Sequence, residues 1–476
     1  MTLASLWQAR HPRSAAPEAA EVAGRYDVAV VGAGLTGLTT ALLLGRAGRS
    51  VVVLDGGRIG DGTTGRSTAK LSLLQGTQLS TIRSRHPQSV VDAYVEAQRE
   101  GAAWVRQFCE KHDVPVQQQD AVTYAYGGSG ERSIRDELEV ANRAGLAVQW
   151  DDELPLPFPV RGGIRLADQF QLDPLELLDE LSLAAAGHGV TLVERARVVR
   201  VRGSDPVQVS TERGTVEADR VVIATNLPIL DCGAFFARMK PARSYAVAFR
   251  TDQPAVDAMY LSADQPSRSL RHAPSEAGPL LLVGGNGHTT GRGGQTSRRL
   301  DGLRSWTLEH WPDAVETHAW SAQDYVPHHA LPLVGPILPG TDEILVGGGY
   351  SKWGMTNAPA VGLALATRIL GGKPPAWADV LGSYARTELR GLPTAAQVNA
   401  EVGLELTRGW VGALATRTLS QDGVSRVCPH LGGVVRWNDA ERSWDCPLHG
   451  SRFDEDGAVL EGPAVRPLGS TRGSER

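Results

Sequence analysis

Apolar and polar positions along this chain follow two periods, and the changes between them outline its architecture. Residues 26–31 read as a buried strand, residues 38–48 carry helical spacing, and residues 50–54 form a second strand. Residues 90–111 also repeat at helical spacing, whereas residues 243–250 alternate with the period of two of a half-buried strand. Asp173-Pro174 opens another helix, because proline fits a first helical position. Residues 154–159 are a proline-rich loop, and residues 391–400 read as a linker to a short C-terminal portion. Residues 280–291 are glycine-rich after a strand but lack a second GxGxxG spacing, so they read as a strand end and loop.

The turn between the first strand and its helix is Gly32-Ala-Gly34-Leu-Thr-Gly37, and the second strand ends at Asp55. Strand, glycine turn, helix, strand and acid together make a dinucleotide site. The glycines let backbone approach a pyrophosphate at the helix N-terminus, and Asp55 is placed to accept hydrogen bonds from a ribose. This unit alone leaves FAD and NAD open.

A second chemistry lies near the C-terminus. Cys428-Pro-His430 and Cys446-Pro-Leu-His449 each offer one thiolate and one imidazole, with fifteen residues between His430 and Cys446. Two cysteines on one iron and two histidines on the other is the Rieske arrangement of a 2Fe-2S centre. A structural zinc site of two Cys and two His is the alternative. Zinc leaves unexplained the prolines and glycines of each loop, which turn backbone N–H groups toward the sulfides. Ser451 is placed to donate a hydrogen bond to the cluster. Phe453 stands where high-potential relatives place a tyrosine, so an intermediate potential is expected within the roughly −150 to +300 mV of such centres. Gly433 and Leu448 occupy the places of the cysteines that brace respiratory Rieske loops with a disulfide.

"GDGTTGRSTAKLS" (60–72) follows the acid directly, and with it residues 25–385 resemble the D-amino-acid-oxidase-like family of FAD enzymes, which includes glycine and sarcosine oxidases and amino-acid dehydrogenases. "QLDPLELLDEL", "VERARVVRVRG", "ADRVVIATN" and the stretch 330–370 carry the resemblance further. It implies a fold of α/β and α+β class. A Rossmann-like FAD-binding domain has an inserted mixed β-sheet substrate domain, and a small all-β Rieske domain follows. The implied boundaries are 25–390, with flavin parts at about 25–85, 160–230 and 325–385, and 397–476 for a Rieske domain whose base is shortened and leans on the flavin domain. It implies FAD contacts at Gly32, Gly34, Gly37, Asp55, Thr63, Thr64, Thr68, Ala69 and Val198. Gly354, Met355 and Thr356 are expected at a helix N-terminus aimed at the flavin, where the helix dipole favours anionic reduced flavin.

Composition narrows the setting. Net charge is −5 over 476 residues, which gives no sign of a nucleic-acid partner. No apolar run approaches the roughly 18 residues of a membrane span, and residues 1–24 read as a polar extension. The chain has four cysteines. Cys109 and Cys232, outside the cluster, read as small buried side chains, and the expected location is cytoplasmic.

Substrate-side expectations are Lys70 near the flavin, Tyr245 beside Arg243 on one strand face, Arg271 as a carboxylate clamp, and Tyr325 with Trp353 as an aromatic cage. For the lysine the structural reading is a solvated or phosphate-facing side chain; for the arginines it is surface ion pairs, and for the aromatics core packing. His328-His329 is expected to bind no metal, on the ground that adjacent histidines point apart and lack a carboxylate. The leading expectation is an FAD-dependent amine or amino-acid dehydrogenase whose electrons leave singly through the 2Fe-2S centre to a ferredoxin or quinone. The alternatives are a ferredoxin-fed reductase or monooxygenase with electrons running inward, and a non-catalytic electron-transfer component.

Overall fold

Arg25–Val31 is apolar toward its C-terminal end and lies inside an eight-stranded sheet, with Val51–Leu54 and Gly214–Ile223 parallel on either side. The order runs Leu333–Pro336, Ile344–Gly348, Gly214–Ile223, Arg25–Val31, Val51–Leu54, Thr191–Val193, with the hairpin Val198–Arg202 and Val207–Thr211 added onto Gly214–Ile223. The structure is a computed structural model describing residues 4–12, 22–253, 256–276, 278–421 and 423–469. Parallel strands covered on both faces need continuous apolar runs, which is the pattern seen in residues 28–31 and 51–54.

A second, nine-stranded mixed sheet runs from Val315–Pro327 through Met239–Arg250 and Leu280–Thr289 to Gly163–Leu172 and Lys70–Leu71. Gly163–Leu172 pairs with Val116–Tyr124. The chain therefore rejoins the first sheet only after the helix Pro174–Gly187, later than the expected start near 160. Asp173 caps that helix, its side chain accepting from Leu175 N–H at 2.9 Å.

Three helices close over the first sheet. Leu35–Arg46 packs on Gly354–Ile369, which also packs on Gln88–Lys111. Glycines set these distances: a Cβ on Gly101 would lie 2.1 Å from Thr356 O, and one on Gly362 would lie 2.9 Å from Thr39.

Residues 391–400 are not a linker loop. They open a 25-residue helix, Leu392–Thr416, with Pro393 in its first turn and Arg417 in the left-handed conformation at its end. Val402 and Leu406 pack on the small C-terminal core, and Trp410 Nε1–H donates to Gly432 O at 2.9 Å. The helix does the work of the sheet base that the sequence lacks. The C-terminal portion itself is all-β, with a four-stranded antiparallel sheet from Arg436–Asn438 to Val459–Glu461 and a two-stranded ladder at 420–425. Among the described residues no helix is long and apolar enough to cross a membrane.

The start of the chain is not a bare extension either. Leu6–Arg10 is helical, and Ser5 and Gln8 form a capping box. Trp7 is buried and donates Nε1–H to Ser67 O at 2.7 Å, while Ser5 Oγ donates to Gly65 O at 2.7 Å. Residues 13–21 lie outside the described ones.

Candidate functional site

A cavity of about 1040 Å³ runs from the glycine turn across the face between the two sheets. Gly32, Gly34, Asp55, Thr63, Thr64, Thr68 and Val198 line it. Gly32 has φ 102°, and a Cβ there would meet Ala224 O at 2.9 Å. Gly37 stands behind the lining, where a Cβ would collide with Gly32 O at 1.9 Å, so it permits the turn to close on its helix. The Asp55 carboxylate accepts from Ala33 N–H at 2.7 Å and Gly57 N–H at 2.8 Å. Burial raises its pKa, opposed by those two N–H groups and by Arg197. A glycine-lined cradle, a helix N-terminus and a buried acid suit a dinucleotide.

The loop after the acid is pinned from several sides. Thr63 Oγ1 donates to Gln323 O at 2.6 Å, and Thr64 Oγ1 accepts from Leu35 N–H at 3.4 Å. Ala69 is left-handed, φ 50°, and sits outside the cavity lining. Arg271 departs from its expected role. Its guanidinium donates to the carbonyls of Thr68, Ala69 (3.2 Å) and Leu172 (3.3 Å), so it fastens the loop from behind and presents no fork to the cavity. Burial lowers its pKa to about 9. Lys70 does face the cavity, donating Nζ–H to Tyr260 O and Ser269 Oγ, both at 2.7 Å. Burial first, and Arg271 second, push its pKa well below the ordinary lysine value.

On the opposite wall stand Trp353, Gly354 and Met355 at the N-terminus of Gly354–Ile369, together with Tyr245. Thr356 does not join them: one helical position further on, its Oγ1 turns inward to Gln75 (3.1 Å) and Gln98. Arg243 also leaves the substrate side. It is fully buried and donates Nε–H to Glu441 at 2.6 Å, with Glu461 3.5 Å away, both from the C-terminal portion. Arg452 completes this buried cluster, 2.9 Å from each of those acids. Burial opposes ionisation of Glu441, yet Arg243 and Arg452 hold it below the usual carboxylate range.

Tyr325 is the larger correction. It lines the cavity, but its hydroxyl donates to Gly462 O (3.1 Å) and His449 O (3.4 Å) and accepts from Gln323 Nε2 at 3.0 Å. Gln323 Nε2 also donates to Gly450 O at 2.9 Å. Tyr325 and Trp353 both line the cavity, and Tyr325 joins it to the second Cys-His loop.

In that loop region Cys428 and Cys446 are buried side by side, with Ser451 Oγ in hydrogen-bond reach of Cys428. The imidazoles of His430 and His449 lie 5.1 Å apart between centroids. His449 Nδ1 is buried with no hydrogen-bond partner, the state of a nitrogen that awaits a metal. No three of these four ligand atoms fall within 4.8 Å of one another, a spread that suits two irons and is too wide for one tetrahedral zinc. Gly433 is required here, since a Cβ would lie 2.9 Å from Cys446 Sγ and 2.7 Å from Leu448. Phe453 is buried in the core beneath.

Several residues escaped the sequence reading. Lys352, Asp324, Arg66 and Arg197 line the cavity, as do Glu441, Arg452 and Glu461 from the far end of the chain. Asp324 accepts from Asn226 Nδ2 (2.6 Å) and from Lys352 N–H, fixing a left-handed Ser351-Lys352 turn. Cys232 is exposed, not buried. The rings of His328 and His329 do not point apart; they stack at 5.1 Å, and Glu388 contacts both, at 3.3 and 3.1 Å.

Comparison with known proteins agrees with this geometry. The family model described as FAD dependent oxidoreductase (DAO) matches residues 27–368, and the Rieske [2Fe-2S] domain model matches residues 420–472. The chain thus belongs to the DAO family of FAD-dependent oxidoreductases, and it carries a C-terminal Rieske domain. Its cofactors are FAD and a Rieske 2Fe-2S cluster. The same architecture spans a relative in Bacillus subtilis (strain 168), the "Putative Rieske 2Fe-2S iron-sulfur protein YhfW", 29% identical over 93% of this chain and 92% of that one. The cytochrome b6-f iron-sulfur subunit of Trichodesmium erythraeum is 50% identical over 52 residues, 11% of this chain and 29% of its own. In fold, the chain is similar to L-proline dehydrogenase from P. horikoshii (TM-score 0.65, 18% identity, 76% of this chain and 98% of that one). It is likewise similar to glycine oxidase from Geobacillus kaustophilus (TM-score 0.61, 21% identity, 73% and 95%).

Proposed function

We propose that the protein is an amine or amino-acid dehydrogenase whose electrons leave one at a time through the Rieske centre. The observation that carries this reading is the shared wall: Tyr325 and Gln323 line the cavity and also bond the backbone of His449 and Gly450. FAD held in the cradle of Gly32, Gly34 and Asp55 would supply a hydride acceptor, and a cluster held by Cys428, His430, Cys446 and His449 would supply a one-electron acceptor. The substrate loses two electrons and two protons; water hydrolyses the resulting imine to a carbonyl compound and ammonia (or an amine, from a secondary amine), and two one-electron carriers leave reduced.

This chain's residues supply position and charge. Ser244, Tyr245, Ser269 and Trp320 wall the side away from the glycine turn. Lys352 supplies a cationic group there, and with Arg271 committed to the loop it is the counter-charge for a substrate carboxylate. Burial disfavours the charged form of Lys70, which suits its amine to accept a proton from a substrate ammonium and leave the neutral amine that hydride transfer needs. Gly354 and Met355 present a helix N-terminus that favours negative charge across the cavity. The partners of this reading are a small amine or amino acid and an external one-electron carrier.

The test is anaerobic mixing of the holoprotein with a panel of amines and amino acids, read at the flavin band. Bleaching by one class names the substrate. No bleaching by any, with prompt loading of cluster and flavin by reduced ferredoxin, would favour electrons running inward.

A further inference from the structure

Outside the cavity, a hydrogen bond joins the flavin domain to a ligand side chain of the cluster. Asp231 Oδ1 lies 2.7 Å from Nε2 of His430. Asp231 precedes a short turn, residues 232–237, that also presses the Phe236 ring against both imidazoles, at 5.6 Å from His430 and 5.1 Å from His449. The segment belongs to the flavin domain in sequence, about two hundred residues before the ligands, so its meeting with His430 is made only by the docking of the two parts.

The geometry points to Asp231 as a positioning residue that sets the reduction potential of the cluster. A carboxylate oxygen can only accept, so Nε2 of His430 carries the hydrogen and donates. That fixes the tautomer and leaves Nδ1 as the nitrogen for iron. A negative acceptor on the remote nitrogen makes the imidazole a stronger donor and so stabilises the oxidised cluster over the reduced one. The direction is toward a lower potential. Asp231 is partly open to solvent, its side chain 63% exposed, while the imidazole is 6% exposed, so water weakens the effect without replacing the partner. Among the described residues His449 has no comparable carboxylate partner, although Phe236 meets both imidazoles. The two histidines are thus inequivalent, and the flavin domain tunes one of them. The inference requires the cluster but not the outward direction of electron flow.

The experiment is an equilibrium redox titration, with chemical mediators, of the holoprotein and its D231N and D231A variants, following the cluster by EPR and the flavin by absorbance in the same samples. Both variants are expected to shift the cluster midpoint to more positive values, so the reduced-to-oxidised ratio at a fixed potential rises several-fold while the flavin midpoint stays put. If D231A fails to assemble a cluster, D231N, which keeps the shape and an acceptor oxygen, carries the test. A cluster midpoint in D231N that is unchanged or more negative overturns the inference. Mediated equilibrium readings do not depend on any substrate, so a failure here is distinct from a failure of the dehydrogenase reading.

Discussion

The hydroxyl of Tyr325, on a strand of the flavin cavity, reaches the carbonyl oxygen of His449 at 3.4 Å and that of Gly462 at 3.1 Å. One side chain thus touches both the cavity and a cluster ligand's backbone. In Y325F those bonds are lost and the buried carbonyls lose a donor, which costs about 1 kcal/mol of stability. The expected kinetic outcome is selective: substrate bleaches the flavin as in the parent protein, while reduction of the cluster lags. Stopped-flow traces at the flavin and cluster bands separate the two steps.

The Arg243–Glu441 pair, 2.6 Å apart and buried, clamps the substrate sheet to the Rieske portion. Removing Arg243 takes one charge-assisted bond from Glu441, which Arg452 still holds at 2.9 Å, so R243M is expected to destabilise the protein by about 1.5–3 kcal/mol. Replacing both partners with apolar residues of similar size should recover much of that loss. Urea unfolding of the single and double variants checks it.

Of these relationships, the sequence carried those that are local. Gly32, Gly34, Gly37 and Asp55 lie within one strand–turn–strand unit, and Cys428, His430, Cys446 and His449 within two short loops, so spacing alone exposed them. Arg243 was grouped with Tyr245 on the substrate side, since its partner Glu441 lies 198 positions away. Arg271 misled similarly: its guanidinium is spent on carbonyls of a loop 203 positions earlier. Leu392–Thr416 was hidden because glycines and a proline mask its pattern, and the partners that cover it, the Rieske loops and the 232–237 turn, are distant in sequence. Ser5 and Gln8 did carry a legible capping box, which would have recovered the helix that places Trp7 on the flavin loop.

Lys70 gives a pH-dependent signature. Its folded pKa is depressed by burial, so between that value and about 10.4 the unfolded chain holds a proton that the folded chain lacks. Stability from this group therefore rises with pH across that window and is lowest below it. In FAD-free protein, the stability of the parent relative to K70M should climb as pH increases from neutral toward 10. Paired thermal melts read the difference; a gap that stays flat or shrinks would contradict the assignment.

Cluster and flavin are separable by ligand loss. C446S is expected to drop protein-bound iron and acid-labile sulfide to background while flavin content persists, because Cys446 is not part of the cavity lining. Substrate should still bleach the flavin, and turnover with a one-electron acceptor should fall to a small residue. Iron analysis and acceptor assays on the same preparation check both halves.

The central claim is the order of events across the shared wall formed by Tyr325 and Gln323. The most direct measurement is an anaerobic single-turnover experiment with rapid freezing, in which a bleaching amine is mixed with oxidised holoprotein and the flavin band and the Rieske EPR signal are followed together. The account predicts flavin bleaching first, then a rise of the reduced-cluster signal as flavin absorbance returns in part. A cluster that stays oxidised while the flavin remains fully reduced would contradict it.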